Sequence, residues 1–178
     1  MKKLFFIFPI LLFLFSACTT WLFPPRLKFK YSGDYTGIDS IIFIDGYYQS
    51  LVELPQVYSF EIRYEAIMFY PNGLFCKTTS DNPAIIFNGK GGYKPYTWGN
   101  YIISGDTIKM QYINNYGFDG GIVVGNYNYL VKSFDEIVEL PKNKEVSCGK
   151  IYKFHPLVDR IGYGNWLLKK KWFYKKER

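Results

Sequence analysis

The feature that most constrains this chain is a repeated pattern: short runs of aromatic and β-branched residues, each ended by glycine, asparagine, aspartate or proline within a few positions. Ala66-Ile67-Met68-Phe69-Tyr70 and Leu74-Phe75-Cys76-Lys77-Thr78 flank Pro71-Asn72-Gly73. Asn-Gly tolerates the positive φ that a tight hairpin needs, and proline suits the entrance of the turn. A second hairpin is read in Trp98 to Ser104, Gly105-Asp106 and Thr107 to Tyr112, and a third in Tyr127 to Val131, Ser133-Phe134-Asp135 and Glu136 to Leu140. Gly-Asn-Tyr recurs at 99–101 and 125–127, so one plan of strand, tight turn and strand is used several times.

Further strands are expected at Ile41 to Tyr48, with a kink or bulge at Gly46, at Phe60 to Glu65, and at Ile151 to His155. Phe60-Glu61-Ile62-Arg63-Tyr64-Glu65 alternates apolar and charged residues, which predicts one buried and one wet face. Ser80 to Pro95 reads as a loop around the apolar run Ala84 to Phe87, and no helical period stands out between Thr19 and Arg160. Aromatics make up 21% of the chain, which agrees with pleated, half-buried surfaces. Eight to ten short strands joined by tight turns predict an all-β fold with little helix, an antiparallel up-and-down β-barrel. Closure removes the edges that aromatic strands would otherwise expose.

The stretches Asp45-Gly46-Tyr47-Tyr48, Phe69-Tyr70-Pro71-Asn72-Gly73-Leu74-Phe75 and Trp98-Gly99-Asn100-Tyr101-Ile102-Ile103-Ser104-Gly105-Asp106-Thr107-Ile108 resemble lipocalin-like lipoproteins of bacterial envelopes. The likeness spans residues 40–155 and rests on turn and core motifs. It implies a small closed barrel and carries no active site with it.

The N-terminus reads as an export signal over residues 1–17. Lys2 and Lys3 precede an apolar run from Leu4 to Phe15 that contains Pro9, and Ser16-Ala17-Cys18 follows. About 14 helical residues reach roughly 21 Å, short of a hydrocarbon core of about 30 Å. Phe15-Ser16-Ala17-Cys18 resembles the lipobox of bacterial lipoproteins, with phenylalanine where leucine is usual. The resemblance implies a diacylglyceryl group on Cys18, cleavage before it, and membrane attachment at that residue. The alternative is an ordinary signal peptide with an incidental cysteine. Thr19 stands where an inner-membrane retention signal would more often place aspartate, which implies an outer-membrane, cell-envelope address. Residues 18–32, with Pro24-Pro25, read as an extended tether, residues 33–160 as the barrel domain and residues 161–178 as a basic, aromatic tail.

The net charge is +7, but its location changes its meaning. Lys2 and Lys3 belong to the signal, and six basic residues against Glu177 lie from Lys169 onward, leaving Thr19 to Leu168 balanced. A neutral body with a basic tip is not the stripe of a nucleic-acid binder. In the tail, Trp166 to Leu168 either close the core with the lysines solvated, or the aromatic and lysine blocks contact an anionic headgroup layer. With Cys18 acylated, Cys76 and Cys148 remain, as one disulfide or as two buried thiols.

Motifs for catalysis are missing. His155 is the single histidine, at a strand end beside Pro156, and no G-x-S-x-G is present. No cysteine or histidine spacing suits zinc, and no glycine cluster opens a helix that could cradle phosphate. Asp135-Glu136 adjoin in sequence but would point to opposite faces, and Asp135 fits a turn. The expectation is a protein without catalytic residues, cofactor or metal. The aromatic excess fits either a filled barrel interior or a cavity for a small apolar or amphipathic ligand. Trp98, Tyr101, Tyr112, Tyr127 and Tyr129 are the residues expected to line such a cavity. A structural envelope accessory and a glycan or lipid hydrolase are the competing readings.

Overall fold

A computed structural model describes residues 25–52, 62–89, 94–95, 97–116, 121–141, 149–159, 161–162 and 164–176. Eight antiparallel strands close into one up-and-down barrel: β1 Gly46–Val52, β2 Arg63–Phe69, β3 Leu74–Ser80, β4 Thr97–Ser104, β5 Thr107–Tyr116, β6 Gly121–Ser133, β7 Glu136–Glu139 and β8 Ile151–Pro156. Each strand pairs with the next, and β1 closes on β8 with Tyr48 opposite Phe154. The all-β barrel expected from sequence is the fold observed.

The hairpins follow their turn chemistry. Gly73 has φ +85°, and its N–H donates to the Tyr70 carbonyl at 3.2 Å, turning β2 into β3. Gly105, at φ +58°, takes the left-handed position in the turn between β4 and β5. The third hairpin joins β6 to β7 with a register shift between Val131 and Ser133, and β6 is much longer than its sequence suggests, starting at Gly121.

Two stretches differ from their expected structure. Ile41 to Asp45 are not strand; a 3-10 turn at Ile38–Ser40 precedes them, and β1 begins at Gly46. Ile38 and Ile42 are fully buried in the interior cluster, so this segment stoppers one end of the barrel. Phe43 N–H donates to the Phe134 carbonyl at 3.0 Å, and the Tyr48 hydroxyl to the Phe43 carbonyl at 3.2 Å, tying the stopper to the rim. Within the expected loop, Pro83–Phe87 form a short helix, α1, with proline in its first turn, where no N–H donor is needed.

The hydrophobic residues form two cores, one on each side of the sheet. Inside are Tyr48, Ile67, Phe69, Phe75, Tyr101, Ile108, Met110, Tyr129, Ile137 and Tyr152. Outside, Ala66, Met68, Leu74, Cys76, Trp98 and Ile113 of β2 to β5 are covered by α1, the N-terminal segment and the C-terminal tail. Through this second core, residues of the stretches expected as tether and tail pack on the outside of the barrel. Tyr31 N–H donates to the Phe173 carbonyl (3.0 Å), Lys175 N–H to the Tyr31 carbonyl (2.9 Å), and Lys28 N–H to Gln111 Oε1 (3.1 Å). Asn165 Oδ1 accepts from Leu167 N–H at 2.8 Å and so starts the 3-10 turn Trp166–Lys169, whose Leu167 is fully buried. The described residues flanking the barrel, 25–31 and 164–176, are therefore built into the domain. Residues 18–24, the rest of the tether, lie outside the described residues, as does Cys18.

Candidate functional site

The end of the barrel opposite the stopper is lined differently. Strand alternation sends Glu65 of β2, Lys77 of β3, Tyr112 of β5, Tyr127 and Tyr129 of β6, Glu139 of β7 and Tyr152 of β8 inward on the same side as Ile67, Phe75 and Met110. Lys77 pairs with Glu65, and Lys150, just before β8, reaches the other Glu65 oxygen at 2.8 Å. The Lys77 ammonium also lies 4.0 Å from the centre of the Tyr127 ring, a cation–π contact in a site only 5% exposed. The Tyr152 hydroxyl donates to Glu139 Oε2 at 3.1 Å. The Tyr129 hydroxyl is fully buried, and no described group meets it in good hydrogen-bond geometry, although the Tyr152 hydroxyl lies close enough to interact with it.

Electrostatics fix the charge states here. Burial alone would raise the Glu65 carboxyl, but the Lys77 charge and the hydrogen bonds from Lys150 and Lys77 outweigh it and hold the group below its ordinary value. Burial is the main cause raising the Tyr127, Tyr129 and Tyr152 phenols, with nearby Glu139 and Glu65 adding to it. These phenols therefore stay neutral and can donate hydrogen bonds at any physiological pH. Glu65 stays an anion.

The wall nearest solvent is tyrosine. Tyr112 and Tyr127 stack with ring centres 4.9 Å apart, both half-buried, and the inward-facing Val123 beyond them is 44% exposed. Gly125 makes this shelf possible, since a Cβ there would lie 2.1 Å from the Tyr112 ring. The Tyr112 side chain crosses the space that any larger residue at 125 would fill.

Of the residues expected to line a cavity, Tyr112, Tyr127 and Tyr129 come together at this mouth. Tyr101 also faces inward but sits at the stoppered end, where its hydroxyl donates to the Tyr70 carbonyl at 2.6 Å. Trp98 faces the other way: it is 5% exposed on the outer side of β4, stacked on Tyr70, with Nε1 donating to the Pro95 carbonyl at 3.2 Å. Its even position puts it opposite in parity to Tyr101, so it cannot line the mouth.

Glu65, Lys77, Lys150, Glu139 and Tyr152 were not anticipated. The alternation of Phe60 to Glu65 had placed its charges in water, yet Glu65 is inside and Ile62 is 62% exposed. Lys77 did carry a signal, being one charge in the apolar run Leu74-Phe75-Cys76.

The other expected features resolve as follows. Cys76 is a fully buried free thiol on the outer side of β3, and burial raises it despite a contact with the Tyr70 hydroxyl at 3.7 Å. Cys148 lies outside the described residues. His155 stacks on Tyr47 at 5.6 Å, and partial burial lowers its pKa. Asp135 accepts from Ser133 Oγ at 2.6 Å in the β6–β7 turn, at the stoppered end and away from the mouth. Among the described residues no group of three histidine, cysteine or acidic side chains is placed to hold a metal, and no helix is long and apolar enough to cross a membrane. Compared with protein-family models, curated proteins and solved structures, the chain matches none.

Proposed function

We propose that this chain is a lipid-anchored cell-envelope protein, lipocalin-like and without a reaction of its own, that holds a small amphipathic ligand in the mouth of its barrel. The observation that carries this reading is the fully buried, inward-facing Tyr129 hydroxyl, which no described group meets in good hydrogen-bond geometry although the Tyr152 hydroxyl lies near it, next to the Tyr112–Tyr127 shelf that Lys77 covers. A buried hydroxyl without a partner costs about 1–3 kcal/mol, which a ligand carrying an acceptor would recover. The stacked tyrosines offer that ligand flat apolar faces. A glycan hydrolase would need a carboxylic acid kept protonated to serve as proton donor. Glu65 is instead held ionised by two lysines, and Glu139 is engaged by Tyr152.

A second reading is favoured by one specific observation: Ile38, Ile42, Tyr48, Phe69 and Phe75 fill the half of the barrel nearest the stopper. If the mouth is equally filled, the protein is a structural accessory of the envelope. Titration of the full chain with fatty acids, sterols and short aromatic alcohols, followed by calorimetry, separates the two. A ligand gives one-site binding with a negative heat-capacity change. Tyr129→Phe then weakens binding about 3–10-fold, the worth of one neutral hydrogen bond, with no loss of stability. Absence of binding across the series, and of any co-purifying small molecule by native mass spectrometry, would leave the structural reading. Tryptophan fluorescence is a poor reporter, because Trp98, Trp166 and Trp172 all belong to the outer wall.

A further inference from the structure

The outer wall that covers β2 to β5 carries an uneven charge. Residues 25–31 alternate, with Arg26, Lys28 and Lys30 exposed and Leu27 and Tyr31 turned into the outer core. The tail behaves likewise: Leu167 and Phe173 are fully buried, and Lys169, Lys171, Lys175 and Lys176 are exposed. The two segments are bound to each other by the Tyr31–Phe173 and Lys175–Tyr31 backbone hydrogen bonds, a bridge between Tyr31 and Tyr174, and a Lys30 side-chain contact with the Trp172 carbonyl. Segments joined by contacts 142 residues apart in sequence thus pool their basic side chains on one wall, and neither 25–33 nor 164–176 contains an acidic residue. Trp166 and Trp172, half-buried with ring centres 6.3 Å apart, lie among these lysines. Folding has used the tail's apolar residues for the core and turned its charges outward.

We infer that this composite wall, made of residues 26–30 and 166–176, rests on the headgroup surface of an anionic phospholipid bilayer, so that the barrel lies on its side against the membrane. Three observations converge on that occupant. Residues 26–30 and 166–176 are basic with no acidic residue among them, Asp34 and Glu177 lying just beyond, and this charge is complementary to anionic headgroups. The wall's half-buried tryptophans have the amphipathic character that settles at the membrane interface. The chain preceding the described residues also leads away from this wall: Pro25 adjoins Arg26, and six residues separate it from Cys18, with the apolar run Leu4 to Phe15 just beyond. The seven residue-to-residue steps from Cys18 to Pro25 span at most about 25 Å when fully extended. A bilayer holding Cys18 or the apolar run is therefore kept close to the basic wall, whereas surface charges act over only about 8–10 Å in physiological salt. The inference extends the envelope-anchor reading, and the two fail separately. Palmitate labelling of Cys18 reports the anchor; the docked state of the wall is read as follows.

The full chain carrying Trp21→Phe is reconstituted into vesicles of neutral phosphatidylcholine, or of phosphatidylcholine with phosphatidylglycerol, each with acyl chains brominated near the headgroup. The expected result is quenching of tryptophan emission on anionic vesicles well beyond that on neutral ones, and its loss at high salt. Replacing Lys169, Lys171, Lys175 and Lys176 by glutamine should lower the docked-to-undocked ratio by about fivefold for each residue that engages. All four are exposed, so an unchanged urea midpoint would show that the fold is intact. Equal quenching on both vesicles, or quenching that survives the four substitutions, would overturn the proposal. So would a salt-sensitive response to a soluble polyanion with none to vesicles, which would assign the wall to a polyanionic partner instead.

Discussion

Glu65 shows at the scale of one residue how the barrel mouth is held together. Its carboxylate is buried between Lys77 and Lys150, and the pair with Lys77 is deep enough that neither can lose its partner cheaply. Glu65→Gln leaves the Lys77 ammonium buried against a neutral amide and should cost about 3–5 kcal/mol. The double change Glu65→Leu with Lys77→Met removes both charges and should cost clearly less, as urea unfolding would show. The pH dependence has a definite sign. Because folding lowers the Glu65 pKa, the stability it contributes is complete above its ordinary value of 4.5 and is lost as pH falls through the folded value. Wild type should therefore lose stability in acid more steeply than the double variant.

Among elements, the C-terminal tail follows the first of its two expected readings, in which Trp166 to Leu168 close the core and the lysines are solvated. Asn165 starts a 3-10 turn that drives Leu167 into the outer core, and Phe173 follows, stacked on Tyr31 at 5.2 Å. Leu167→Ala should cost about 2–5 kcal/mol and Phe173→Ala about 3–5 kcal/mol, as for other fully buried side chains. A freely solvated tail would give values near zero for both. Differential scanning calorimetry of the two variants decides the matter. The N-terminal segment is the tail's counterpart, since Tyr31 links the two.

On the scale of the whole molecule, closure is the governing fact. β1 and β8 pair through Gly46 to Gln49 and Lys153 to Pro156, so the described sheet has no free edge. Amide exchange in the paired residues of β1 and β8 should accordingly be about as slow as in β4 and β5; rapid exchange confined to β1 and β8 would indicate an open sheet.

Much of this architecture is local and therefore legible in the chain. Turns depend on the φ that a few residues tolerate, so Gly73 and Gly105 announce their hairpins, and a succession of hairpins in an aromatic chain has few solutions other than a closed barrel. Tyr112, Tyr127 and Tyr129 share the inner face for the same reason, the period of two along a strand. Which face that period buries is not a local property. The sheet here is covered on both sides, by the barrel interior and by the chain ends, so apolar residues occur at both parities over β2 to β4. Trp98 could not be told from a lining residue on pattern alone, and Glu65 looked like a solvent charge. Only pairing between strands brings Glu65, Lys77 and Lys150 together, and only the folded chain ends decide that the basic residues of positions 26–30 and 169–176 form one surface. The amino-acid sequence by itself determined the tight turns and most of the strands, which are short-range in cause, whereas closure joins residues as distant in sequence as Tyr48 and Phe154. The tertiary structure decided which side of the sheet each side chain meets and which distant charges it joins.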